Sequence, residues 1–181
     1  MMKRDLPIPK LNPHELLKVL RSHSCSQIAL FWLDLFERVG VPSYQYFPAG
    51  IYPHVSHIAR IDLSDGTPTP FQWGDALETC FGPLDREAEL FSILGPDEQE
   101  VRLDTLADAV KNDCITVLMS SLGGGKNGST EEVYLPLLNK ERVVTEALLA
   151  FSYRNTDAAR NFDYAEHPLL ETIAISSFCF R

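Results

Sequence analysis

The order of apolar patterns along the chain predicts an α+β fold in which helices come first and an antiparallel sheet, interrupted by a helical insert, follows. Three observations carry this. Apolar residues recur at helical spacing between 24 and 39. They alternate at strand spacing between 58 and 73 and again between 115 and 153, and over the intervening 75–113 the period returns to the helical one. Turn signals at Asn127-Gly128 and Asn139-Lys140 separate the last three strands.

The first helix begins at Asn12-Pro13-His14-Glu15, which supplies an N-cap, a proline at the first helical position and an acid three residues after the cap. Leu16, Leu17 and Leu20 give it one apolar side. A second helix starts at Ser24, which caps while Gln27 reaches back. Its face is Ile28, Phe31, Trp32, Leu35, Phe36 and Val39, and Gly40 followed by Pro42 ends it. Prolines 42, 48 and 53 with Gly50 break any period from Val41 to His57, which reads as irregular with one short turn. Ala59, Ile61 and Leu63 then alternate with Arg60 and Asp62, Asp65-Gly66 is turn chemistry, and Phe71-Gln72-Trp73 resumes the alternation. The result is a hairpin stiffened by Pro68 and Pro70.

Within the insert, Ala76, Leu77, Cys80 and Phe81 make a first helical face, broken at Gly82-Pro83. Ala88, Phe91 and Leu94 make a second set, and Gly95-Pro96-Asp97 opens a helix with Leu103, Leu106, Ala107 and Val110 on its face. Strands follow over Ile115 to Leu122, Glu132 to Leu138 and Arg142 to Tyr153. The tail is polar to Glu166 and then apolar at Leu169, Leu170, Ile173, Ile175, Phe178 and Phe180, as a docked terminal element requires. The expected division is an extension with a short helix over 1–23, one domain over 24–154 and the docked tail over 155–181.

A chain of 181 residues with 45% hydrophobic and 23% charged residues matches one soluble domain. Folding at this length buries roughly 70% of the unfolded surface, so no disulfide or metal is needed to staple the core. Sixteen basic against 25 acidic residues give a net charge of −9, with no basic run longer than Lys3-Arg4. That excludes nucleic acid and anionic lipid as expected partners. No apolar run approaches the ~20 residues of a spanning helix, and no signal-peptide core follows Lys3-Arg4, so a cytoplasmic location is expected. Cys25, Cys80, Cys114 and Cys179 are widely spaced with no C-x-x-C pair, and are expected to be buried free thiols.

No constellation of residues specifies catalysis. Gly123-Gly124-Gly125-Lys126 resembles a phosphate loop, but Ser120 and Asn127 stand where such a loop needs glycine and a hydroxyl, so it reads as a hairpin loop. His54-x-x-His57 lacks a third ligand, so no metal site is expected. Ser120-Ser121 has no glycine elbow, and Cys80 has no basic neighbour to hold a thiolate. The carboxylates from Glu78 to Glu100 read as solvated helix faces. Aromatic residues Phe31, Trp32, Phe71, Trp73, Phe81 and Phe151 belong to the core or line a cavity in it.

The residues resemble a known family. Trp32-x-x-Leu35, Val41-Pro42-Ser43, Phe47-Pro48, Ile51, Ile58-Ala59-x-Ile61-Asp62, Phe71-x-Trp73-Gly74 and Cys80-Phe81-Gly82 stand in the order of the motifs of bacterial single-domain PAS-like proteins, with Gly74 and Gly82 eight apart. Tyr134-Leu135-Pro136-Leu137 and Arg142-Val143-Val144 are similar to that family's last strands. The resemblance runs from about Ser24 to Arg154. Asp75, Tyr44 and the stretch from Pro83 to Glu87 depart from the family pattern, and the Asn-Cys-Arg-Phe box of flavin photoreceptors is absent. The resemblance implies a five-stranded antiparallel sheet with helices on one face. Such a fold serves several functions, and the leading expectation is a regulatory role in bacterial signal transduction through protein–protein contact, without enzymatic activity. The partner would be a signalling protein or a second copy, and Leu16, Leu17, Leu20, Phe31, Trp32 and Leu35 are the expected interface. The alternative is a sensor of a small apolar ligand held by Trp73, Leu77, Cys80, Phe81 and Leu118, with Gln72 as a further polar group. The residues name no cofactor.

Overall fold

The structure, a computed structural model, describes residues 12–85, 88–122, 128–155 and 170–179. The glycine-rich stretch 123–127 and the polar half of the tail lie outside the described residues. Helices α1 (Pro13–Val19) and α2 (His23–Val39) lead through two 3-10 turns, Tyr44–Tyr46 and Ala49–His57, into β1 (Ile58–Asp62) and β2 (Thr69–Trp73). Helices α3 (Asp75–Phe81) and α4 (Pro96–Lys111) form the insert. Four strands follow: β3 (Cys114–Leu122), β4 (Gly128–Leu138), β5 (Val144–Asn155) and β6 (Leu170–Cys179). All strands join one antiparallel sheet in the order β2-β1-β5-β4-β3-β6.

The α+β class and the PAS-like arrangement, an antiparallel sheet with a helical insert between its second and third strands, are as the sequence predicts. Two details differ. A sixth strand, β6, pairs with β3 from Cys114–Cys179 to Leu122–Leu170. Helices also cover both faces of the sheet rather than one. The reason lies in the central strands, whose apolar residues are continuous where a half-solvated strand would alternate. Val133, Leu135, Leu137, Leu148 and Ala150 pack under α1 and α2, while Tyr134, Leu149 and Phe151 pack under α3 and α4. Successive side chains leave a strand on opposite faces, so a strand apolar throughout needs cover on both.

Local chemistry places the helices. The Asn12 side chain accepts from His14 N at 3.0 Å, and Pro13 opens α1 as predicted. Helix α2 is capped by Ser22, two residues before the predicted Ser24, and the Ser22 hydroxyl accepts from Cys25 N. Its buried residues are Cys25, Ile28, Ala29, Trp32, Leu33 and Leu35, with Val39 exposed. The predicted face is therefore rotated slightly, toward a line that includes the small, fully buried Cys25 and Ala29. Ala88, Phe91 and Leu94 do not form the predicted helical turn: Phe91 takes φ +62°, and the segment winds irregularly while Phe91 and Leu94 remain buried. On α4 the buried residues are Arg102, Thr105, Leu106 and Ala109. Of the predicted face Leu103, Leu106, Ala107 and Val110, only Leu106 is fully buried, while Leu103 and Val110 pack half-buried at the margin of the core. An arginine occupies the innermost line of that helix.

Cys114 and Cys179 stand directly opposite each other on β3 and β6 and are joined by a disulfide, which corrects the expectation of four free thiols. Spacing in sequence could not reveal the pair, because 65 residues separate them. Cys25 and Cys80 are free and buried.

Gly74, between β2 and α3, lies against the backbone of the Ala49–His57 3-10 turn. A Cβ there would overlap the Ser56 and Val55 carbonyl oxygens, which are backbone and cannot swing aside. Gly74→Ala should cost about 1–3 kcal/mol by overpacking, read as a lower urea midpoint with an unchanged slope. A loss below a few tenths would mean that the 3-10 segment yields freely.

Candidate functional site

The residues expected to hold a ligand come together on the insert side of the sheet. Leu77, Cys80, Phe81 and Leu118 are buried in one cluster, and the half-buried Trp73 packs against it. The Phe81 ring lies 5.1 Å from that of Phe151 and 6.2 Å from that of Trp73, whose Nε1 donates to Gly82 O at 3.2 Å. Gln72, next to Trp73 on β2 and opposite Arg60, projects to the other face and takes no part. Burial first, and the Glu132 charge second, push the Cys80 thiol up to about 12, so it is an inert thiol at neutral pH. Trp73 and Phe81 also border a groove of about 290 Å³, walled by Pro70, Leu84, Leu90 and Ile93.

Beside this cluster lies a charged network that pattern reading did not anticipate. Arg102 is fully buried on α4 and Glu132 is fully buried on β4. Arg102 Nη2 donates to Glu132 Oε1 at 2.7 Å and to Ser120 Oγ at 3.0 Å. Its Nη1 donates to Glu98 Oε2 at 2.7 Å and to the Glu98 carbonyl at 3.1 Å. Tyr134, two residues along β4 and on the same face, donates its hydroxyl to Glu132 Oε2 at 2.6 Å. From the outer side, Thr172 on β6 donates its amide to Glu98 Oε1 at 2.8 Å and its hydroxyl to Glu98 Oε2 at 2.6 Å. A continuous set of charge-assisted bonds thus runs from the edge strand through α4 to the sheet centre.

Electrostatics follow from the geometry. Burial opposes charge on Arg102, but the Glu132 charge, the neighbouring Tyr134 and the hydrogen bonds to Glu132 and Glu98 together outweigh it and hold the guanidinium more firmly protonated than usual. Burial and the same Glu132 charge raise the Tyr134 phenol well above its ordinary range. For Glu98, burial pushes upward, yet the Thr172 bonds and Arg102 prevail and leave the carboxyl below its usual value. A depressed carboxyl stabilises the fold above its unfolded pKa of ~4.3, and that contribution is lost as pH falls through the lower folded value. Thr172→Ala should cost about 1.5 kcal/mol, toward the low end because Glu98 stays partly solvated. It should also flatten the acid side of the stability profile in urea titrations. An unaltered pH profile in this variant would show that Thr172 does not hold Glu98.

Two signals for the network were present in the sequence: Glu98 and Arg102 stand four apart on one helix, and Glu131-Glu132 stands directly before the apolar run of a strand. The paired acids serve opposite faces. Glu131 accepts from the Arg21 and Ser22 amides at 2.7 and 3.0 Å and so fixes the start of α2, while Glu132 fixes α4.

Of the expected interface residues, Leu16, Leu20, Trp32 and Leu35 are buried within the chain itself, and Leu17 and Phe31 are half-buried at the margin of the same cluster. His57 Nδ1 lies 2.9 Å from Phe151 O, and the His54 ring lies 6.0 Å from that of His23. Among the described residues no group of three or more His, Cys, Asp or Glu is placed to hold a metal, and no helix is long and apolar enough to cross a membrane.

No protein-family model matches the chain, and no curated protein matches it in sequence. Among solved structures it is similar to an RNA-binding light-oxygen-voltage receptor, at 16% identity and a TM-score of 0.37, over 77% of this chain. The match spans 47% of that receptor's chain, about half its length.

Proposed function

We propose that the chain is a cytosolic PAS-like regulatory module of bacterial signal transduction whose output is contact with a protein, either a signalling protein or a second copy. The observation that supports this reading is what occupies the space between sheet and insert. Arg102, Glu132 and Tyr134 fill it together with Leu77, Phe81 and Leu118, and their hydrogen bonds lead outward to β6 at the sheet edge. An interior wired to an edge strand suits a module that transmits through its surface. The groove beside Trp73 and Phe81 supports the second reading, a sensor of a small apolar ligand.

Native mass spectrometry of the purified full chain separates the two. The contact reading expects a homodimer or a co-purified signalling protein, with no small molecule released on denaturation. A monomer carrying a stoichiometric small molecule overturns it in favour of the sensor. Leu77→Trp adds an independent arm. In a filled core it should cost about 1–3 kcal/mol, whereas in a ligand cavity it should leave stability intact and abolish uptake.

A further inference from the structure

The geometry points to Cys114 and Cys179 as a redox-sensitive clasp that sets whether the terminal strand β6 stays docked on β3. The inference goes beyond the regulatory reading and does not depend on it.

Strand β6 is the edge of the sheet, and most of its side chains gain little from being there. Glu171, Ile173, Ala174, Ile175 and Ser177 are exposed, while Phe178 and Cys179, at its end, are buried. Apart from the backbone ladder, described side chains hold the strand near its start and near its end, where the Ser177 and Thr116 hydroxyls also share a hydrogen bond of 3.1 Å. Near its start Thr172 binds the Glu98 carboxylate, and at its end Phe178 enters the core under α1 and α2 beside the Cys179–Cys114 bond. Edge segments with few buried apolar contacts open at low cost. A cross-link at such a place therefore determines how often the segment is released.

The chemistry is thiol–disulfide exchange. Closing the clasp converts two thiols to one S–S bond. Two protons leave, and two electrons pass to an oxidant of the disulfide class such as glutathione disulfide, which departs as two thiol equivalents. A dithiol reverses the step by taking up the disulfide itself. In a reducing compartment the open dithiol is the resting form, and an oxidant closes the clasp. The other two cysteines do not compete, because Cys25 and Cys80 lie on opposite faces deep in the two cores.

Opening has a defined consequence inside the fold. Release of β6 frees the outer edge of β3 and withdraws Thr172 from Glu98, the first member of the network that reaches Glu132 through Arg102. The redox state at one end of β6 is thereby conveyed to the centre of the sheet.

The test uses the full chain, treated either with glutathione disulfide or with dithiothreitol. Peptide mapping of the oxidised form should recover a linked Cys114–Cys179 pair, lighter by two hydrogens than the reduced peptides. Amide hydrogen exchange across 170–179 should be slow when oxidised and rise by roughly thirtyfold or more on reduction, while β4 and β5 stay protected. The Cys114→Ser/Cys179→Ser variant should exchange like the reduced protein in both conditions. Equal protection of 170–179 in the two redox states of the wild type overturns the proposal. So does recovery of free Cys114 and Cys179 after oxidation.

Discussion

Replacing Arg102 by alanine should cost about 3–5 kcal/mol of folding stability, because it leaves Glu132 charged, buried and without its ion partner. The pair itself is worth far less than this figure suggests. Taking two charges out of water nearly cancels their attraction, so the loss measures the stranded carboxylate and not the bridge. A triple variant, Arg102→Met with Glu132→Leu and Tyr134→Phe, removes the buried ion pair and the phenol bonded to it together, leaving the neutral Ser120 hydroxyl, and should recover most of the loss. Urea denaturation of both proteins checks this. A cost for Arg102→Ala below about 1 kcal/mol, the range of a solvated surface pair, would show that water reaches Glu132.

Trp32→Ala should cost a similar 3–5 kcal/mol and loosen α2 from the sheet. The indole is fully buried and stacks on Phe36 with ring centroids 4.9 Å apart, and its Nε1 donates to the Pro136 carbonyl at 2.8 Å. Pro136 is tolerated in a central strand because the β3–β4 ladder ends at Thr116–Tyr134, short of it. Trp32→Phe keeps much of the ring and loses the donor, so it should cost less, about 1–3 kcal/mol from an unsatisfied buried carbonyl. Far-UV and near-UV circular dichroism with urea titration report the two effects. A Trp32→Ala protein with native near-UV signal and a loss below about 1 kcal/mol would mean that α2 is held from elsewhere.

The candidate site was legible only in part. Leu77, Cys80, Phe81 and Leu118 were readable as neighbours because each lies on the apolar stripe of its own element, and any packing of insert on sheet brings those stripes together. Gln72 was misplaced because one step along a strand reverses the face. Arg102 was passed over because apolar spacing treats an arginine as solvent-facing by default, and the residue that makes it an interior one, Glu132, stands 30 positions away. Leu16, Leu20, Trp32 and Leu35 were legible as buried, but not what buries them.

By itself, the amino-acid sequence determined most of the element types, their order and many of their ends. These depend on contacts within a few residues: the Asn12 cap with Pro13, the helical spacing through Ile28, Trp32 and Leu35, the glycines at 40 and 82, and alternation along β1. Tertiary structure alone decided the rest. It covered both faces of the sheet, added β6, set Cys114 against Cys179 and joined Thr172 to Glu132 through Glu98 and Arg102. Each of these is a pairing between distant segments whose strength depends on burial and direction, and neither quantity exists until the chain has closed on itself.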